Sequence, residues 1–511
     1  MATFIIRRLI ASFFVLLAAT YIMYVLTALA GDPLEDLRTS TAPNALQLIE
    51  ARTQLLNLDV PPYLRYFIWL AGVAGCFVGN CDFGVNVQGQ DVTIQLTQAL
   101  GQTLQLVTTA SLLAIIVGLA IGITTALRQY SGYDYTVTFF SFLFFSLPIF
   151  WVAVLLKQFI AIGFNDFLRA PDIPPVAIAA FAVVAALLWS SILGGNTRKR
   201  ITVAAVAGAA TVATLVYFNL VDWLSDPSLG IVAVGLTAIG IAFGITAIST
   251  GLRNRRALYG ALAVAVLAIV FYYPLKFYVF PLMSLGLFLG MLVATVALTG
   301  AVGFVMARRD RWQAFRTTAL VGLLVILVMS LDQYMSFWEA YSDSSRIRGR
   351  PIATVGAFTP NLGGNFWIQG IDSFTHLLLP TIALILVSLA SYTRYSRATM
   401  LEVLNQDFIR TARAKGLTER TVIVRHAFRN ALIPIATIVA FDIGALVGGA
   451  VITERVFGWT GMGQLFVNGL DRVDPNPVMA FFVVTGALAV LFNLAADLVY
   501  AALDPRIRVN A

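Results

Sequence analysis

The chain alternates long apolar runs with short polar joints. Apolar blocks fall at about 9–30, 104–127, 136–164, 173–195, 201–221, 229–250, 257–275, 282–306, 315–331, 371–393, 431–453 and 478–502. A helix of such length crosses about 30 Å of hydrocarbon. The pattern predicts an all-α polytopic membrane protein with about twelve transmembrane helices. The first block follows Arg7 and Arg8 and runs from Leu9 to Ala30. It exceeds the roughly 7–15 apolar residues of a cleaved signal, so it reads as an uncleaved first span. A shorter piece, YFIWLAGVAGCFVG (66–79), reads as an external helix near the surface, because counting it as a span inverts the charge pattern downstream.

Charge supports this topology. The joints after the even-numbered crossings carry Arg128, Arg198-Lys199-Arg200, Arg253/Arg255/Arg256, Arg308/Arg309/Arg311, the basic segment 407–434, and Arg506/Arg508. The intervening joints at 221–228 and 332–345 are acidic. This is the positive-inside bias, and it places both termini in the cytoplasm. Polar stretches at 31–103 and 332–370 then lie outside, the first as a small cap and the second as loop. Hydrophobic residues make up 59% of the chain and charged residues 12%, about half the charged share of a soluble domain. The net charge of +8 resides mostly in those short joints, which argues against a nucleic-acid face.

The two cysteines, Cys76 and Cys81, lie in GCFVGNCDFG. Their spacing suits neither a thioredoxin-like nor a zinc motif. Either a small external disulfide turned by Gly79-Asn80 or two free thiols fits. None of the four lysines follows a glycine, so the chain lacks a phosphate-binding P-loop. His376 and His426 stand apart, without Cys or acidic neighbours at metal spacing. No catalytic residue, metal or cofactor is predicted. What remains is a secondary transporter or the membrane half of an ATP-driven machine.

The segment DFIRTARAKGLTERTVIVRHAFRNALIP (407–434) separates these two. It carries Arg410, Arg413, Lys415, Arg420, Arg425 and Arg429 against Asp407 and Glu419. Leu401, Leu404, Phe408 and Ala412 recur at three- and four-residue steps, giving one apolar face. Gly416 can adopt φ > 0 and turn the chain. Thr418 can cap a second helix running to Pro434. A topology signal needs only a few basic residues, and a lipid-surface helix carries larger aromatics. The pattern predicts a rigid cytoplasmic protrusion.

TARAKGL followed by HAFRNALIP resembles the cytoplasmic "EAA" loop of binding-protein-dependent ABC importer permeases, closest to the dipeptide, oligopeptide and nickel branch. Arg410-Thr411-Ala412 stand where the general form has Glu-Ala-Ala. FIIRRLI, AGDP (30–33), LLNLDVPPYLRY (55–66), DFG (82–84) and SLPIFW (146–151) resemble the family's N-terminal half. HLLLPT (376–381), GGAVITERVFGWTGMG (448–463), NLAADLVY (493–500) and LDPRIR (503–508) resemble its C-terminal half, with Thr460-Gly461 in place of Pro-Gly.

The resemblance implies a six-helix type I permease core split between residues 1–170 and 346–511. Residues 171–345 carry no motif recognised from that family and read as an inserted module of six spans, an even number that keeps the basic segment in the cytoplasm. It implies an ATPase-coupling loop over 394–430, with Leu404, Phe408, Arg410, Ala412, Arg413, Lys415, Gly416 and, at the membrane, Pro434. It implies a multi-pass inner-membrane subunit surrounded by lipid, partnered by a second permease, two ATPases and an external solute-binding protein. Peptides are the favoured cargo; nickel, haem and sugar fit the same family. A twelve-span secondary transporter predicts two similar halves and clustered buried acids, and the sequence has neither. Asn493 and Asp497, four apart on the last span, suit helix–helix hydrogen bonding, whereas Asp442 suits the pathway or a partner subunit. Lys157 reads as a snorkelling residue and His376 as a helix-end residue.

Overall fold

The computed structural model describes residues 2–307 and 310–503, with only the backbone for residues 2–5, 433, 437, 440, 441, 443–447, 449 and 496–503. Among the described residues the regular elements are helical, apart from one isolated bridge between Val85 and Asp91. Eleven of these helices are long and apolar enough to cross a membrane, and they coincide with eleven of the twelve apolar blocks. The remaining block, 431–453, falls on the helix Arg429–Gly449, whose side chains lie partly outside the described residues.

Three boundaries differ from the sequence reading. The block 136–164 is two helices, Gly132–Ser146 and a second starting at Ile149, with Leu147 extended between them (ψ 129°). Pro148 pushes its predecessor out of helical geometry, which breaks the span there. The block 104–127 begins a full three turns earlier, in the helix Val92–Leu127, where Asp91 accepts the Thr93 N–H at 2.7 Å. The block 371–393 runs on to Leu404 in the helix Phe366–Leu404. Polarity marks where lipid ends, not where a helix ends. The stretch 332–370 is also partly helical, through Ser336 and over Trp338–Ser342.

Contacts divide the chain into two units. The first comprises residues 1–160, 354–357 and 377–511. In it the short helix Pro62–Ala74 lies on the helix Ala2–Leu29 through Tyr66, whose ring meets Tyr21 and Tyr24 edge-on at 5.2 and 5.7 Å. The Tyr66 hydroxyl also hydrogen-bonds Thr20 at 2.9 Å. Cys76 and Cys81 are joined in a disulfide just beyond, with Gly79 at φ +82° making the turn between them. Gly118 and Gly122 set a close helix crossing. A methyl group on either would come within 2.7 Å of Tyr392 Cβ or the Thr393 carbonyl of the helix Phe366–Leu404. The similar pairs Gly240/Gly244 and Gly286/Gly290 face no such neighbour.

The cap is anchored to the C-terminal part of the same unit. The buried Asp474 accepts the Val87 N–H at 2.6 Å, and Asn476 Nδ2 donates to the Val85 carbonyl at 2.7 Å. Burial pushes the Asp474 carboxyl up to about 6 from its ordinary 3.8. The charged form therefore costs docking stability above that pH, and the cost disappears as pH falls through 6 towards 4. Protection of the Val87 amide from hydrogen exchange, corrected for its intrinsic rate, should increase over that interval in the wild type. Asp474→Asn keeps the acceptor and loses the charge, so its protection should be flat. An asparagine variant with the wild-type pH dependence contradicts this assignment.

The second unit comprises residues 161–353 and 358–376. Its helices Pro175–Leu193 and Thr197–Leu220 pair as a hairpin. The helices Gly230–Ser249, Arg255–Pro274, Leu285–Met306 and Arg311–Ser336 enclose a core of Val234, Ala238, Val264, Val325, Met329 and Trp367. Asp332, the first residue of the acidic joint 332–345, is buried. It accepts the Leu229 and Gly230 N–H groups at 2.8 and 2.9 Å and the Tyr272 hydroxyl at 2.6 Å, with Lys276 Nζ at 3.6 Å. One carboxylate thus caps a helix start and ties three helices. Asp372 plays a similar part, accepting from Thr359 Oγ1 at 2.6 Å and Tyr341 at 3.2 Å beside His376. His376 is a buried member of this network rather than a free helix end.

Candidate functional site

The basic segment is built on the end of the helix Phe366–Leu404. Asn405 Nδ2 donates to the Leu401 carbonyl at 3.0 Å, competing with the backbone, and Gln406 is extended (ψ 151°). A new helix, Asp407–Ala414, starts there. Gly416 follows at φ +74°, in the left-handed region where a side chain is disfavoured. Thr418 Oγ1 accepts the Thr421 N–H at 3.4 Å. The helix Glu419–Thr421 then widens into the π-stretch Val422–Phe428 and continues as Arg429–Gly449, passing through Pro434.

The break at Asn405-Gln406 corrects the predicted apolar face. Leu404 ends one helix and Phe408 begins another, so their four-residue spacing does not put them on one stripe. Ile409 and Ala412 instead point inward, packing with Ala126, Met400, Val422, Ala427 and Ala431. Ala412 therefore belongs to the protein's own core. Among the described residues of the segment, three large apolar side chains remain on the outside: Phe408 (43% exposed), Leu417 (40%) and Val424 (58%). Around them Arg410, Arg413, Lys415, Arg420, Arg425 and Arg429 are exposed.

Arg413 closes the glycine turn with a forked pair to Glu419, Nε to Oε2 at 3.2 Å and Nη2 to Oε1 at 2.7 Å. The pair holds the Glu419 carboxyl below, and the Arg413 guanidinium above, their ordinary ranges. Arg410 lies 3.5 Å from Asp407. A second fork, which sequence reasoning missed, joins the base of this helix to the N-terminal half. Arg397 Nε and Nη2 donate to the buried Asp134 at 2.8 and 2.9 Å. Its only local signal was Ser131-x-x-Asp134, the start of a capped helix, in which Ser131 Oγ accepts the Asp134 N–H at 3.2 Å.

The stretch GGAVITERVFGWTGMG forms the other polar knot of this unit. Glu454 is wholly buried on the helix Val451–Phe457 and accepts from Thr103 Oγ1 and the Gly463 N–H, both at 2.6 Å, and from the Gln464 N–H at 3.3 Å. Thr103 Oγ1 in turn accepts the Met462 N–H at 2.8 Å, and Trp459 Nε1 donates to the Gln102 carbonyl at 3.1 Å. Burial raises the Glu454 carboxyl, and the three donors oppose that rise. Lys157 Nζ donates to the Val456 carbonyl at 3.3 Å, so it is tied to this knot instead of snorkelling. Asp442 is half-buried and interacts with Tyr392. Asn493 is half-buried, while the side chain of Asp497 lies outside the described residues.

This architecture is that of a polytopic α-helical membrane protein with a folded basic segment between two of its apolar helices. The family described as binding-protein-dependent transport system inner membrane component matches residues 261–509, and the chain belongs to that family. It is 48% identical over 156 residues to the oligopeptide transport system permease protein OppB of Mycobacterium tuberculosis, covering 30% of this chain and 48% of that one. A putative peptide permease protein of Brucella ovis is 37% identical over 229 residues, 45% of this chain and 68% of its own. The dipeptide transport system permease protein DppB of Escherichia coli K12 is 43% identical over 145 residues, 28% and 42% of the two chains. The chain spans about half the length of the first of these relatives.

Proposed function

We propose that this chain is the permease subunit of an ATP-driven importer that carries peptides into the cytoplasm. The observation that carries the reading is the segment 405–434: a protrusion packed from within by Ile409 and Ala412 and displaying Phe408, Leu417 and Val424 among arginines. The peptide cargo rests on the names of the relatives. Two separate ATPases, a second permease and an external solute-binding protein complete the machine. The protrusion, with the chain termini, faces the cytoplasm, as the basic joints require. Closure of the ATPases pushes on the protrusion. Its packed core and its unbroken helical path into Arg429–Gly449 pass the displacement to the membrane helices, so no catalytic group is needed here.

Residues 171–345 act in this reading as an inserted membrane module. Support comes from the contact division, which gathers the six helices between Pro175 and Ser336 into one unit together with residues 161–174, 337–353 and 358–376; the core of this unit is built by the last four of the six helices and by Trp367.

Docking is tested by copurification of the cognate ATPases with the permease from detergent. Phe408→Asp combined with Val424→Asp should abolish copurification while leaving membrane insertion intact, because both side chains are exposed. Ala412→Glu is unsuitable, since it buries a charge in the protein's own core. Retention of the ATPases by the double variant overturns the docking assignment.

A further inference from the structure

At the level where the apolar block 371–393 ends, the helices Gly132–Ser146 and Phe366–Leu404 enclose a cavity of about 190 Å³. It is lined by Val137, Thr138, Ser141, Thr393, Arg394 and Arg397, together with Phe142. Arg397 is neutralised by Asp134. Arg394 is exposed and, among the described residues, has no acidic partner; its guanidinium lies over Phe142 and Phe145, 5.1 and 4.8 Å from their ring centres. Ser141 and Thr393 are each more than nine-tenths buried, yet neither hydroxyl makes a hydrogen bond to another described residue. Two hydroxyls that line a cavity beside a guanidinium with no acidic partner mark a place for an acceptor-rich anion.

Phe139, Phe142 and Phe145 continue from this cavity as an exposed strip at three-residue spacing along one helix. An arginine that merely reaches for water needs no hydroxyl-lined recess behind it. We propose that this cavity binds a phosphate group and that the phosphate belongs to an anionic phospholipid, whose chains lie along the phenylalanine strip. The guanidinium supplies charge and a planar pair of donors, Ser141 and Thr393 supply two more, and the rings hold the guanidinium against the membrane surface.

The test uses the full chain purified in detergent, with bound lipid read by native mass spectrometry. Phosphatidylglycerol should be retained in preference to phosphatidylcholine, and Arg394→Gln should reduce that preference about tenfold, the scale of a charge-assisted hydrogen bond. Arg394→Lys should keep part of it as a point charge, and Ser141→Ala should weaken it less than Arg394→Gln. Thermal stability of Arg394→Gln should match wild type, because the residue is exposed. Equal phosphatidylglycerol preference in wild type and Arg394→Gln overturns the site. Protection of Arg394 from phenylglyoxal by millimolar inorganic phosphate, but not by phosphatidylglycerol micelles, assigns the anion to a soluble source and overturns the lipid reading.

Discussion

On the proposed importer function, the Gly416→Val variant reconstituted in vesicles with the cognate ATPases is expected to insert normally and bind them, yet lose most transport-stimulated ATP hydrolysis. Gly416 stands at φ +74°, and a Cβ built there meets no atom within 4 Å. The substitution therefore introduces no clash, only the backbone cost of a left-handed β-branched residue, about 1–2 kcal/mol. That cost shifts a two-state population by a factor of about 5–30. It acts on the turn that the Arg413–Glu419 fork holds shut, and so on the angle between the helix Asp407–Ala414 and the path into the membrane. Gly416→Asn is the control, because asparagine tolerates the left-handed region. The expected order of coupling is wild type, then Asn, then Val. If the valine variant hydrolyses ATP in step with transport as the wild type does, the segment does not transmit force.

The largest loss of stability is expected from Glu454→Ala. This substitution strands the Thr103 hydroxyl and the Gly463 and Gln464 N–H groups in a site where Glu454 itself is 0% exposed. Each buried group left unpaired costs about 1–3 kcal/mol, and the contact at 3.3 Å contributes least, so a total of about 3–5 kcal/mol is expected. Glu454→Gln keeps an acceptor for Gly463 and fills the same space, and should lose less than half as much. Thermal unfolding in detergent measures both, and limited proteolysis between Gly458 and Gly463 reports whether the loop has come free. A change of under about 0.5 kcal/mol for Glu454→Ala, the range of an ordinary surface substitution, refutes the structural role given to this carboxylate.

Much of the candidate site was legible because its signals are local. Positive φ at Gly416, the Thr418 cap and the helix running through Pro434 all follow from the residues that stand there. The inward-facing residues were not legible. Ile409 lies one place from the stripe drawn through Leu404 and Phe408, and a single break at Asn405-Gln406 rotates everything after it. Periodicity carried across a break points to the wrong face.

The spans and, among the described residues, their number to within one block were legible in the sequence alone. Hydrocarbon leaves a helix no alternative to a long apolar run, and lipid does not mask that run. What the tertiary structure decided was where the buried carboxylates Asp134, Glu454, Asp332 and Asp474 find their partners. Asp134 finds Arg397 across 263 residues, and Thr103 finds Glu454 across 351. Asp332 and Asp474 look like loop acids until packing buries them against backbone N–H groups. Such pairs carry no local spacing. They exist because separate helices and loops meet, and a charge taken out of water must be matched wherever the fold happens to put it.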